Sequence, residues 1–510
     1  MKSISRRDFL KAAMALSAGS LLSLSPALRK LKTQSDKPNI IVLVFDAMSA
    51  RNLSVYGYPR STTPGLERIV ERATVYHSHY SAGNFTTSGT ASMLTGLYPW
   101  THRGINLSGM VRKKFVDHNI FSLMGDEYYC TVFTQNYLAD VLLGQFQSGI
   151  DHHIVTPSFY DQLSFPLLGQ YFSGDPVPAY YGLDDYLFSG GVSRVGSVPS
   201  TPIFGFLNEL ARKDQDFNRT LPDYPYGIPN NSFYSYENST AYAGILKEIL
   251  DLSSQQNPFF AYFHMFSPHE PYRPRKEFTD IFPDMEFPRK KPTKFSTLDI
   301  SNESILWRRK TYDEYIADVD FEIEKLVNAL EDSGILKNTY LILTADHGEL
   351  FERGEYGHVT RLLYDAVIHI PLIVVAPGQK TRRDIHHPTN NIDLLPTLLQ
   401  IAGKTPSTSP EGKILPGLGG SEEARSLFSM EAKECSAFGG FANGTTVSMI
   451  KGGHKLIYYT GYPKRSDAFE LYNLNDDIDE MKDLYLLDVV TASQMKEELL
   501  DAFDANRKFS

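Results

Sequence analysis

The apolar positions of this chain alternate between short unbroken runs and runs with helical spacing. Asn39-Ile40-Ile41-Val42-Leu43-Val44-Phe45 and Tyr340-Leu341-Ile342-Leu343 are continuous, as expected of parallel strands covered on both faces. Pro258 to Phe266 and Leu372 to Ala376 read the same way. Between them Ala241 to Leu252 reads as a helix. So does the spacing Ile316, Val319, Ile323, Leu326, Val327, Leu330, and so does Leu394 to Ile401, closed by Gly403. The rhythm runs from 38 to about 136, breaks over 150–235, and resumes. Residues 404–430 read as linker. Short strands follow at Thr446 to Ile450, Lys455 to Tyr459 and Ala468 to Leu471, then a helix over about 489–505. The pattern predicts an α/β fold: a central, mostly parallel sheet with helices on both faces, then a small antiparallel sheet with a packed helix. The expected division is a leader over 1–30, a catalytic domain over 36–405 with an aromatic-rich insertion at 150–235, and a C-terminal α+β subdomain over 430–510.

Two of the strand runs end in acids. Asp46 closes the first, and Thr344-Ala345-Asp346-His347-Gly348-Glu349 follows the run at 340–343. Ligands of open α/β sheets sit beyond the carboxyl ends of strands. A carboxylate and an imidazole delivered together there suit a divalent metal. Alone, each acid also fits a turn or helix cap. Asn84-Phe85-Thr86-Thr87-Ser88-Gly89-Thr90-Ala91-Ser92-Met93-Leu94-Thr95-Gly96 reads as a helix start rich in hydroxyls. Its first N–H groups can hold an anion, and a hydroxyl there beside a metal can serve as nucleophile. The same Thr would also serve as an ordinary N-cap.

Together these segments resemble the sulfatase family of the alkaline phosphatase superfamily. Thr62-Thr63-Pro64-Gly65-Leu66-Glu67-Arg68-Ile69 resembles its first helix. Leu94-Thr95-Gly96-Leu97-Tyr98-Pro99, with His102 and Gly104, resembles its "LTGxYPxxxG" signature. The likeness continues through Leu363-Tyr364-Asp365 and Glu470-Leu471-Tyr472-Asn473-Leu474. It implies an alkaline phosphatase-like fold and a site binding one or two divalent ions (Zn2+, Mn2+ or Ca2+). The implied ligands are Asp46, Thr86, Asp346, His347 and His358. One departure matters. Sulfatases carry a Cys or Ser, converted to formylglycine, in Cys/Ser-x-Pro-x-Arg ten residues before the Gly of "LTG". Ten back from Gly96 is Thr86, and Thr86-Thr87-Ser88-Gly89-Thr90 holds no Cys, Pro or Arg. This resembles the branches that use an unmodified Thr on phosphorus esters; a one-residue slip would select Thr87. His358, eleven residues past His347, and His269, in Ser267-Pro268-His269-Glu270-Pro271, match family histidines that hold a second ion, the substrate phosphate or the leaving group. His264 is a weaker candidate, its side chain being expected to point into the sheet. His386 and His387 read as a solvated turn.

The resemblance implies an enzyme that cleaves phosphate mono- or diesters through Thr86 and a covalent intermediate, with His269 and His358 assisting. Three alternatives stay open: a sulfuric ester hydrolase without formylglycine, a phosphoethanolamine-type phosphotransferase, and a non-catalytic glycan-binding module. The expected substrate is a small-molecule, glycan or lipid-headgroup ester. Ser5-Arg6-Arg7-Asp8-Phe9-Leu10-Lys11, before an apolar stretch from Ala12 to Leu24, reads as a signal for the twin-arginine export machinery. It predicts a periplasmic or otherwise extracytoplasmic protein, with an uncleaved anchor left open. The 510 residues carry a formal charge of −10. Lys2, Arg6, Arg7 and Lys11 against Asp8 make the first 27 residues +3, so the remainder is near −13. That balance argues against nucleic acid as a partner. The basic cluster Arg289-Lys290-Lys291 with Lys294 reads as an exposed loop. Cys130 and Cys435 are taken as free thiols.

Overall fold

The structure is a computed structural model. It describes residues 37–107, 109–154, 222–231, 235–255, 257–284, 295, 300–405, 410–435, 441 and 444–507. The twin-arginine segment, most of the aromatic-rich insertion and the basic cluster near 290 lie outside them.

The main sheet is built from β1 (Asn39–Phe45), β2 (Thr74–Tyr76), β3 (Tyr129–Thr134), β4 (His152–His153), β5 (Phe259–Met265), β6 (Thr339–Ala345), β7 (Leu372–Val375) and β8 (Arg383–Ile385). Their order across the sheet is β8-β2-β7-β6-β1-β5-β3-β4. β7 runs antiparallel to both of its neighbours, and all other pairings are parallel. The unbroken apolar runs follow from burial on both faces. Ile41, Leu43 and Phe45 of β1 enter one core with Ile245 and Ile249 of α3 (Asn238–Ser253) and Ile316, Val319 and Ile323 of α4 (Asn302–Asp332). Ile40, Val42 and Val44 enter the opposite core. There they meet Leu94 of α1 (Thr86–Thr95), Leu142 of α2 (Tyr137–Gln145) and Leu395 of α5 (Leu394–Ile401).

A four-stranded antiparallel meander forms the C-terminal part: β9 (Leu427–Glu431), β10 (Thr445–Lys451), β11 (His454–Thr460) and β12 (Ala468–Asn473), in that order. Val447, Met449, Leu456 and Leu471 pack with Met495, Leu499 and Phe503 of α6 (Val489–Arg507). The same cluster includes Tyr98, Trp100 and Ile105 of the segment after α1, so the meander is seated on the chain just beyond that helix. β9 falls where the sequence reads as linker. Leu-Phe-Ser-Met-Glu is too short and too mixed to show a period of two, and it is an edge strand paired only with β10.

Candidate active site

Register decides what the strand ends bring together. Val44 pairs with Thr344 on one side and with His264 on the other, and His264 pairs in turn with Thr134. Side chains along a strand alternate faces with a period of two. Two residues beyond Val44, Thr344 and Thr134 come Asp46, Asp346 and Asn136, converging on the same edge as His264.

Asp46, Asp346, His264 and His347 are fully buried. Asp346 Oδ1 accepts from the backbone N–H of Ala47 at 3.2 Å and of His347 at 2.9 Å. His347 Nδ1 lies 2.9 Å from the Gly348 carbonyl, to which it donates. His347 Nε2 therefore faces inward, 3.4 Å from Asp46 Oδ1 and 3.5 Å from Asp346 Oδ2. His264 Nε2 stands 3.7 Å from Asp46 Oδ2 and 3.7 Å from Asp346 Oδ2. Among the described residues, Asp46 Oδ1, Asp346 Oδ2 and His264 Nε2 have no hydrogen-bond partner. Two carboxylates beside one another in a dry site, with orphaned oxygens, are costly unless a cation balances them. One ligand atom each from Asp46, His264 and Asp346 lies within 4.8 Å of the others, and this oxygen-and-imidazole set suits a divalent ion of the zinc or manganese type. The residues fit a metal.

Electrostatics agrees with that reading. Burial opposes charging His347, yet Asp346 and Asp46 outweigh it and lift its pKa to about 9. Burial and the Asp46 charge push Asp346 up. Burial would raise Asp46 too, but the imidazoles of His269, His264 and His347 hold it well below the usual carboxylate range. The acids thus draw positive charge toward themselves.

α1 enters this cluster end-on. Thr86 is its first residue, and Phe85 at the N-cap offers no side-chain cap. A Cβ on Gly89 would stand 2.2 Å from the Asp346 carbonyl oxygen, so glycine lets the first turn lie on the metal-strand backbone. Gly348 does the same beside the Ala366 carbonyl, at 2.3 Å. Thr86 Oγ1 lies 3.4 Å from His347 Nε2 and 3.2 Å from Asn136 Nδ2. The Thr87 hydroxyl instead donates to the Leu107 carbonyl. Of the two threonines, Thr86 presents its oxygen to His347 and Asn136.

His269 and His358 stand next to this group. The His358 ring is 4.3 Å from that of His347 and 4.7 Å from that of His269, centroid to centroid. His358 Nδ1 lies 3.1 Å from Glu349 Oε2. His269 Nδ1 lies 2.6 Å from the Glu270 carbonyl, leaving Nε2 available. Burial holds both histidines below their usual pKa, His358 well below, and pushes Glu349 up to about 7. Lys433 arrives from beyond β9. Its Nζ donates to Asn84 Oδ1 and the Thr360 carbonyl, each at 3.0 Å, and pairs with Glu431 at 3.2 Å. It ties the chain before Thr86 to the chain after His358.

The structure thus gathers Asp46, Asp346, His347 and Thr86, with His269 and His358 beside them. It adds Asn136, Glu349 and Lys433, and it turns His264 into the acids rather than into the sheet interior. Parity explains His264: it shares a register row with Val44, on the face that Asp46 continues. An Asn directly after a strand was the only available signal for Asn136. His386 is exposed and stacks on His77 at 4.4 Å. Cys130 and Cys435 are buried free thiols.

Comparison with known proteins places this arrangement. The model described as Sulfatase matches residues 38–404, and one described as N-sulphoglucosamine sulphohydrolase, C-terminal, matches 354–507. N-acetylglucosamine-6-sulfatase of Capra hircus is 25% identical over 391 residues, covering 72% of this chain. The chain spans 61% of that relative's length. The uncharacterized sulfatase YidJ of Escherichia coli is 24% identical over 92% of this chain and 88% of its own. The crystal structure of a phosphonate monoester hydrolase of Agrobacterium radiobacter superimposes with a TM-score of 0.64 at 17% identity, covering 92% of this chain and 96% of that one. With the family model matching residues 38–404, the strand-end acids and the helix start between them all fall within it, and the chain belongs to the sulfatase family.

Proposed function

We propose that this protein is a metal-dependent hydrolase of phosphorus esters that uses Thr86 as its nucleophile. The observation that carries this reading is the Thr86 hydroxyl, buried at an uncapped helix start between His347 Nε2 and Asn136 Nδ2, both of which neighbour acids with unpartnered oxygens. Asp46, Asp346, His264 and His347 would hold the ion, with Thr86 beside it. Such an ion supplies charge that lowers the effective pKa of a neighbouring hydroxyl and balances nonbridging oxygens.

The chain's own groups do the rest. The N–H groups of the first turn of α1 receive the tetrahedral anion. Thr86 Oγ1 attacks phosphorus in line; the new P–O bond forms as the bond to the alcohol breaks. The proton lost by the Thr86 hydroxyl passes to the departing oxygen by way of His269 Nε2, which is free to accept and return it. Water then attacks phosphorus, the bond to Oγ1 breaks, and a proton from that water restores the hydroxyl. Positioning and charge stabilisation supply most of the rate in such chemistry. Glu349 fixes the His358 ring through Nδ1, so that its Nε2 can address substrate.

Phosphorus is favoured over sulfur by the nucleophile. Formylglycine cannot be made from Thr, and an alkoxide attacks phosphorus readily. The sulfate-ester reading draws on relatives named as N-acetylglucosamine-6-sulfatases. A panel of phosphate mono- and diesters, phosphonate monoesters and sulfate monoesters, run on metal-loaded protein, separates the two. Turnover of phosphorus esters at least about tenfold above sulfate esters is expected, and a clear sulfate preference refutes the assignment. Arg6 and Arg7 address the protein to twin-arginine export. Replacing both with Lys should leave it in the cytoplasm; normal export of that variant would show that the pair is not the address. No helix among the described residues is long and apolar enough to cross a membrane.

A further inference from the structure

We propose that Asn136 is a catalytic residue, the hydrogen-bond donor that holds the Thr86 oxygen as the covalent intermediate forms and breaks. The inference rests on Thr86 being the nucleophile.

Asn136 is the second of the two residues between β3 and α2, and it does two things with one side chain. Its Oδ1 accepts from the backbone N–H of Leu138 at 2.7 Å and of Ala139 at 3.3 Å, capping α2. That use of the oxygen fixes which way the amide faces. A flipped amide would set its NH2 against two N–H groups of the helix start and leave both without an acceptor. The NH2 group is therefore committed to the opposite side. There one N–H goes to Asp46 Oδ2 and the other to Thr86 Oγ1, at 3.2 Å. Asn136 is 2% exposed, so no water competes for these bonds. The preceding residue strengthens the mount. Gln135 Oε1 accepts from Phe266 N at 2.9 Å, and Gln135 N donates to the His264 carbonyl at 2.9 Å. The loop carrying Asn136 is thus tied to the end of β5, which carries His264 and leads to His269.

A preset donor on Oγ1 has a specific chemical consequence. In the first step Oγ1 gives electron density to phosphorus, and a donor there stabilises the alkoxide it starts from. In the second step Oγ1 is the leaving group. Water bonds to phosphorus, the P–Oγ1 electron pair returns to Oγ1, and charge grows on an atom that already faces an N–H. Donors aimed where charge develops lower such barriers by about 10²–10³-fold in rate. The donor is worth most in the second step, so losing it should slow release of the phosphoryl group more than its transfer. The covalent adduct should then pile up.

Asn136→Ser tests this. Serine keeps an oxygen that can cap α2 but is too short to reach Thr86. Asn136→Thr is the second variant: its hydroxyl can also cap α2, and it too is too short to reach Thr86. Both should fold, melt within a few degrees of the wild type and retain metal. Turnover should fall about 10²-fold or more, with little change in KM. In rapid-quench experiments on a phosphodiester, the fraction of protein carrying a phosphoryl group on the Thr86 peptide should rise above the wild-type level. Turnover within about threefold of wild type in either folded variant overturns the proposal. So does a loss that excess metal restores, which would make Asn136 only a support for Asp46. Thr86→Ala is run alongside. If that variant stays active, the nucleophile assignment fails; if it is dead while Asn136→Ser is unimpaired, only the role of Asn136 fails.

Discussion

Two buried charge clusters in this molecule invite comparison. At the seam between the main sheet and the meander, Lys455 Nζ sits 2.9 Å from Asp365 Oδ1 and 2.8 Å from Glu480 Oε1. Glu480 Oε2 accepts from the Asp365 backbone N–H, and Arg353 donates to the Glu480 carbonyl. Both acids touch one ammonium there, Arg353 stands beside them and pairs with Glu352, and the backbone closes the network. At the strand ends, Asp46 and Asp346 meet imidazoles, the Asn136 amide and backbone N–H groups, and one oxygen of each is left without a donor. Both clusters are equally dry. What separates them is the counter-charge: a Lys ammonium touches both acids of the first, while among the described residues no Lys or Arg pairs with those of the second. Burial of charge by itself marks structure; burial of uncompensated charge beside an activated hydroxyl marks chemistry.

The contrast can be broken by mutation, and the signs should be opposite. Lys455→Met strands two carboxylates in the seam and should cost about 3–5 kcal/mol of stability, read by urea unfolding, with metal content unchanged. Adding Asp365→Asn and Glu480→Gln should recover much of that loss. A neutral effect of Lys455→Met would mean that the seam is not charge-coupled.

Asp346→Asn should do the reverse to metal-free protein, since burial and the Asp46 charge already push its carboxyl up. It relieves a like-charge pair and should raise the metal-free melting temperature, while weakening metal binding about 10–100-fold. Calorimetry with and without chelator reads both quantities. Metal-free wild type that is the more stable of the two would contradict the assigned charge deficit.

A smaller effect comes from histidines that the fold keeps neutral. Burial lowers both His79 and His102 to about 3. His102 Nδ1 accepts from Gly104 N and its Nε2 lies 2.9 Å from Ser92 Oγ, so neither nitrogen has room for a further proton. A folded pKa below the unfolded value means that the unfolded chain takes up the proton first. Stability is therefore flat above about pH 6.5 and falls as pH drops from there toward 3. Each such histidine costs about 2 kcal/mol at pH 5. His102→Asn should remove one proton's worth of that slope, measured as unfolding free energy between pH 5 and 7. An unchanged slope would show that His102 does not titrate this way.

Much of this was legible in the sequence because burial leaves marks there. β1 and β6 show unbroken apolar runs since both faces are covered, and each ends in an acid at the sheet edge. The start of α1 was visible as hydroxyls and glycine ahead of Met93-Leu94. Register was not legible. Nothing local reveals that β5 lies beside β1 with His264 opposite Val44, so His264 was expected to face the sheet. Asn136 was missed because an Asn after a strand serves a helix cap equally well, and here one side chain does both. Lys433 lies 347 residues beyond Thr86, and only tertiary packing brings its segment to Asn84. The antiparallel turn of β7 likewise depends on pairing that an apolar run does not encode.

The account stands or falls on Thr86. The direct measurement is mass spectrometry of metal-loaded protein quenched during turnover of a phosphodiester, with Thr86→Ala assayed beside it. A phosphoryl adduct on Thr86, absent from Thr87, with turnover lowered by several orders of magnitude in the folded, metal-bound Thr86→Ala protein, is the expected result. Full activity in Thr86→Ala, or an adduct on Thr87, would contradict it.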